Sequence, residues 1–122
     1  MNYDKDVLLS KNKKALLSVS DSITGTFVIN EGIEEIDAEA CKVTKFNNVT
    51  FPDTLKTIKD YSFYDSSIEN LYIKQQVELG AYTFNLCSKL KNIDNYGFIK
   101  LPNQITYISE SAFKKLYKFI WN

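Results

Sequence analysis

Three short apolar runs set the rhythm of the chain. Phe27-Val28-Ile29, Val49-Thr50-Phe51 and Leu71-Tyr72-Ile73 each flank one outward position with apolar neighbours, and their last members lie 22 residues apart. Such alternation predicts a short strand with one buried face. Four positions beyond each strand stands another apolar residue, Ile33, Leu55 or Val77, followed by Ile36, Ile58 and, one place early, Leu79. A self-similar period of this length means stacked units, each covering the apolar side of the next.

Between the strands the spacing tightens around Ala40-Cys41, Ser62-Phe63, Thr83-Phe84 and Ala112-Phe113. Asp37, Asp60 or Ser109 precedes these blocks where a helix would take a capping oxygen, so each block is expected to be a single helical turn. Pro52 and Pro102 follow Phe51 and Leu101 directly and suit corners, because proline ends a strand ladder. The third strand has two possible registers. Strand pairing at Leu90 and Ile93 would point Asn95 inward, and an unpaired buried amide costs about 1–3 kcal/mol. The register with Ile99 and Leu101 inward restores the order of strand then proline. The expectation is therefore one parallel sheet built from 49–51, 71–73 and 99–101, with about six extra residues in the third unit, bulging at 88–97. Before the repeat, Val7-Leu8-Leu9 and Ala15-Leu16-Leu17-Ser18-Val19 flank the polar turn Lys11 to Lys14. These segments predict a hairpin over the first end of the stack. The expected organisation is a capping hairpin and linker over 1–26 and one continuous repeat domain over 27–122.

The stretch from Leu101-Pro102 through Ile105, Ile108 and Ala112-Phe113, together with Phe84-Asn85-Leu86-Cys87-Ser88-Lys89-Leu90, carries a recognisable unit. It resembles the BspA-like leucine-rich repeats, whose unit runs roughly Ile-x-x-x-Ala-Phe-x-x-Cys-x-x-Leu-x-x-Ile-x-Leu-Pro-x-x-Leu-x-x-Ile. The likeness spans residues 27–122. Cys41 stands where the family prefers Phe, and Ser66 where it has Cys. The resemblance implies a leucine-rich-repeat solenoid, mostly β with short helical turns, of about four right-handed coils behind an N-terminal hairpin cap. It also implies a concave strand face that binds a protein or cell-surface ligand, as in adhesion.

Composition narrows the chemistry. In the 122 residues, 15 lysines balance 15 acidic residues, and there is neither Arg nor His. Neutrality without guanidinium forks argues against nucleic acid or an anionic membrane as partner. Loss of His removes the commonest general base and metal ligand. No enzymatic activity, cofactor or metal is expected. No apolar run is long enough to span a bilayer, so direct membrane insertion is not expected, and the compartment stays open. Cys41 and Cys87 fall on apolar phases without CxxC spacing and are expected to be buried structural thiols rather than nucleophiles or a disulfide. The acidic run Glu31, Glu34, Glu35, Asp37 and Glu39 fits no calcium loop and is expected on the wet side of one coil. Lys114, Lys115 and Lys118 are expected to be a solvated last turn. The four glycines, Gly25, Gly32, Gly80 and Gly97, are isolated and form no phosphate cradle.

The outward positions of the stacked strands define two columns: Asn48, Asn70, Phe98 and Ile120, then Thr50, Tyr72, Lys100 and Asn122. Their amides, hydroxyls and aromatics read as a recognition surface or simply as solvated strand positions. The candidate partner-binding residues are Asn48, Thr50, Asn70, Tyr72, Phe98 and Lys100. Asn48-Val49-Thr50 is also an N-glycosylation sequon on that face, expected to be unmodified. At the other end, Phe113, Leu116, Phe119 and Trp121 would lie on a final coil with no residues left to cap it. Such an edge is expected either to form a homodimer through residues 105–122 or to be covered by the next unit of a longer array. A purely structural, self-associating module without an external ligand is the alternative reading.

Overall fold

The computed structural model describes residues 3–73, 77–94 and 99–100. From Thr26 onward the strands are dealt alternately into two sheets. The first, here the face sheet, is parallel and holds β4 (Thr26–Val28), β6 (Asn48–Thr50), β8 (Asn70–Tyr72) and β10 (Asn92–Asp94). Its register is uniform: Thr26, Asn48, Asn70 and Asn92 lie opposite one another across the four strands. The second, the back sheet, takes β5 (Glu35–Ile36), β7 (Thr57–Ile58), β9 (Val77–Leu79) and β11 (Ile99–Lys100), also parallel. Its first edge continues into β3 (Ala15–Val19), which pairs in parallel with β5, and then antiparallel into β2 (Val7–Leu9) and β1 (Tyr3–Asp4). The hairpin therefore grows out of the back sheet, and Leu16 at 0% exposure lines up with Ile36.

Two expectations are overturned. The strand that follows β8 in the face sheet is Asn92–Asp94, in line with Asn70, Leu71 and Tyr72, and not 99–101. Ile99 and Lys100 lie instead beside Val77 and Glu78 in the back sheet. The third unit has no six-residue surplus. It drops one residue, so that Ile58 pairs with Leu79, 21 positions on. It regains that residue between Cys87 and Leu90, both buried, so Asn92 returns to the 22-residue phase of Asn70. The ladder of β8 and β10 holds over Asn92 to Asp94, one residue short of Asn95, so the cost of burying that amide does not decide the register. Asn95 itself lies outside the described residues.

The second correction concerns the blocks read as helical turns. Among the described residues there is no helix. Residues 37–44, 59–66 and 80–87 run instead as successive tight turns. The N–H groups of Ala40, Lys42 and Thr44 donate to carbonyls three residues back, while those of Glu39, Cys41 and Val43 donate to the carbonyls of Asp60, Ser62 and Tyr64 in the next unit. Tyr61, Phe63 and Asp65 repeat this toward Ala81, Thr83 and Asn85. A left-handed φ recurs at Glu39, Val43, Tyr61, Asp65, Tyr82 and Leu86, which a right-handed helix forbids. The cause is spacing. Both sheets fix adjacent units about 4.8 Å apart, and a helix about 10 Å wide cannot repeat at that interval. Alternating handedness aims every second N–H at the neighbour and so makes a third hydrogen-bonded side.

Between these layers lies one core. Phe27, Val49 and Leu71 line it from the face sheet and Ile29, Phe51 and Ile73 from just past the strand ends, with Ile36, Ile58 and Leu79 opposite and Cys41, Phe63 and Phe84 from the turn layer. Aromatic rings run through it as a chain. Phe27 lies 5.1 Å from Phe46, Phe46 meets Phe63 edge-on at 6.4 Å, and Phe63 stacks on Phe84 at 5.7 Å. Phe46 and Ile68, both fully buried, form with Leu90 a column 22 residues apart that sequence reading had passed over. Among the described residues the four buried polar side chains are all bonded. Thr44 Oγ1 donates to the Cys41 carbonyl at 2.7 Å, Thr83 Oγ1 to that of Gly80 at 2.9 Å, and Ser62 Oγ to that of Asp37 at 3.0 Å. Ser66 Oγ lies 3.4 Å from Cys87 Sγ.

Candidate functional site

The face sheet presents two outward columns. In the first, Asn48, Asn70 and Asn92 join their side chains into an amide ladder. Asn70 Nδ2 donates to Asn48 Oδ1 at 2.7 Å, and Asn92 Nδ2 donates to Asn70 Oδ1 at 2.6 Å. The parallel in-register pairing forces this arrangement, because identical residues in one column sit one strand spacing apart. In the second column stand Val28, Thr50 and Tyr72, with Asp94 next in register. Val28 is 59% exposed and Tyr72 is 56% exposed. Over β4, β6 and β8 these two columns hold no charged residue; the first is Asp94 on β10.

Four of the expected partner-binding residues, Asn48, Thr50, Asn70 and Tyr72, come together here. The other two do not join them. Lys100 lies in the back sheet opposite Glu78, and its place in the face columns is taken by Asp94. Phe98 lies outside the described residues, and its column position is filled by Asn92. Sequence reading missed Asn92 and the side-chain ladder. The signal was available in three asparagines 22 residues apart.

The back sheet has a different character. Glu34 is bracketed by Lys56 at 3.4 Å and Lys14 at 4.0 Å, and Lys59 reaches Glu35 at 3.2 Å and Asp37 at 3.9 Å. These exposed pairs contribute little to stability but occupy the acidic run with neighbouring lysines. A shallow groove of about 360 Å³ between the hairpin and this sheet is lined by Lys14, Glu34, Glu35 and Lys56. Among the described residues no group of acidic or Cys side chains has metal-site geometry.

On the turn side, Tyr61 stacks on Tyr82 at 5.2 Å and meets Tyr64 at 5.6 Å. Val43 and Leu86 stand exposed along the same side. Cys41 and Cys87 are buried reduced thiols. Burial pushes the Cys41 thiol well above its ordinary range, since the thiolate would lose its hydration. Cys87 Sγ donates to the Phe63 carbonyl at 2.9 Å, in the position that Ser66 and Thr44 hold in earlier units. Neither thiol offers a nucleophile to solvent. Phe113, Leu116, Phe119 and Trp121, the expected self-association residues, lie outside the described residues.

Parallel in-register sheets on a 22-residue period, joined by stacked turns, define a mostly-β repeat protein. The family comparison makes this specific. Six copies of the BspA type leucine rich repeat region match residues 18–120, and the chain belongs to that family. No curated protein and no solved structure matches it. Among the described residues no helix is long and apolar enough to cross a membrane.

Proposed function

We propose that the chain is a non-enzymatic interaction module, a right-handed solenoid of about four coils that presents its face sheet to a protein or cell-surface ligand, as in adhesion. One observation carries this reading: Val28 and Tyr72, both more than half exposed, stand beside a hydrogen-bonded amide ladder, on columns that carry no charge before Asp94. Large aromatic area with a hydrogen-bonding tip, held on a rigid sheet, suits recognition. The ladder also fixes its side chains before any partner arrives, which lowers the entropy lost on binding. The back sheet supports the contrast, because its charges already neutralise one another.

The test is cell-surface binding by the wild-type chain and by a Thr50→Asp/Tyr72→Lys double variant, whose new charges alternate in sign along a column that continues to Asp94. Both positions are exposed, so the variant should melt like the wild type while losing surface binding. Undiminished binding by a folded double variant would exclude the face sheet.

A further inference from the structure

From the chemistry of the amide ladder we infer that the ligand of the face sheet is an uncharged oligosaccharide. This rests on the face sheet being the binding side.

A carboxamide has two N–H donors and two acceptor lone pairs. In the ladder Asn70 spends one donor on Asn48 and one lone pair on Asn92. One N–H and one lone pair remain, held in the fixed plane of the ladder. A donor beside an acceptor on one amide matches two neighbouring hydroxyls on a sugar ring, each of which can donate or accept. Asn48 and Asn92 repeat the offer one strand spacing, about 4.8 Å, to either side. A sugar chain laid along the stack would meet the same donor and acceptor pair at each step.

The second column supplies the other half of sugar recognition. Tyr72 is exposed, and its neighbours in the column are the small side chain of Thr50 on one side and Asp94, in register on β10, on the other. The C–H groups on one side of a pyranose are apolar and slightly positive, and they pack on the negative face of an aromatic ring. Charge decides against the other partners. Nucleic acid and sulfated glycans gain most of their affinity from positive charge, and the two columns from β4 to β10 carry none. The one charged residue in register, Asp94, is negative and disfavours both, while a single carboxylate is little for a basic peptide segment.

The experiment places the whole chain on an array of uncharged oligomers of glucose, galactose, mannose and N-acetylglucosamine, with sulfated and sialylated oligomers as charged controls. Wild type is expected to bind at least one uncharged oligomer. Tyr72→Ala should weaken that binding by about tenfold or more, the size of one lost ring contact, while Tyr72→Phe retains it. Because Tyr72 is exposed, all three proteins should share one melting curve. Binding confined to charged oligomers, or to none, overturns the inference. Cells treated with glycosidases separate the two levels of the argument. If surface binding survives glycan removal and still requires Tyr72, the ligand is protein and only the sugar assignment fails. If it ignores Tyr72, the face-sheet reading fails as well.

Discussion

Replacing Gly80 with alanine sets two effects of opposite sign against each other. Backbone entropy alone favours alanine by about 0.4–1 kcal/mol, because the unfolded chain loses freedom. Packing opposes it. A Cβ at Gly80 would stand 2.3 Å from Asp60 Oδ1, 2.6 Å from the Asp60 nitrogen and 2.8 Å from the Lys59 carbonyl carbon. The carboxylate can swing aside, but the two backbone atoms move only if the second and third units separate. Separation strains the bonds that join those units here: Gly80 N–H to Ile58 O at 2.8 Å, Ala81 N–H to Asp60 Oδ1 at 2.8 Å and Tyr61 N–H to Ala81 O at 3.0 Å. Overpacking costs about 1–3 kcal/mol, and each bond lost adds about 1 kcal/mol. The net expectation is destabilisation by about 2–4 kcal/mol, read from urea unfolding as a lower midpoint with an unchanged slope. The penalty should persist in an Asp60→Ala background, where the backbone clash remains. A Gly80→Ala protein as stable as wild type, or one rescued fully by Asp60→Ala, would refute the close-approach argument.

Three further outcomes follow from other parts of the molecule. Val43 is β-branched, exposed and held at φ 53°, so Val43→Asn should raise the unfolding midpoint by the equivalent of about 1 kcal/mol; a lowered midpoint would show that its side chain stabilises the turn. Neither Cys41 nor Cys87 should react with a thiol reagent in the folded protein near neutral pH, and both should react in denaturant. Labelling of the native protein at the denatured rate would contradict their burial. Asn48 lies within a parallel strand with its side-chain oxygen bound by Asn70, so intact-mass measurement of native protein should find it without a glycan; a glycan there would block the face sheet.

Much of this architecture was legible in one dimension. The 22-residue spacing of Ile29, Phe51 and Ile73 located the strands and their buried faces, because a period of two within each run allows one inward side only. Stacking of identical units then placed Asn48 beside Asn70 and Thr50 beside Tyr72. Cys41 and Cys87 were legible as core for the same reason, since the period put them on buried phases. The family was legible too, from coincident spacings around Ala112-Phe113 and Cys87.

Other features needed the third dimension. Sequence cannot show that a residue missing before Leu79 is restored after Cys87, since each shift alone looks like lost phase; the ladder of β8 and β10 fixes the sum. The identity of the turn layer was likewise decided outside itself. Ala40-Cys41 and Ser62-Phe63 have local patterns compatible with a helical turn, but two sheets already set the rise per unit at one strand spacing, and only turns of alternating handedness pack at that rise. Gly80 read as an isolated glycine because the atoms that exclude a Cβ there belong to Lys59 and Asp60, in the unit before. Asn48, Asn70 and Asn92 are evenly spaced in the sequence, but hydrogen bonds between them exist only because the strands are parallel and in register. Short-range pattern fixes which side of each segment is buried; the contact between one unit and the next decides its conformation.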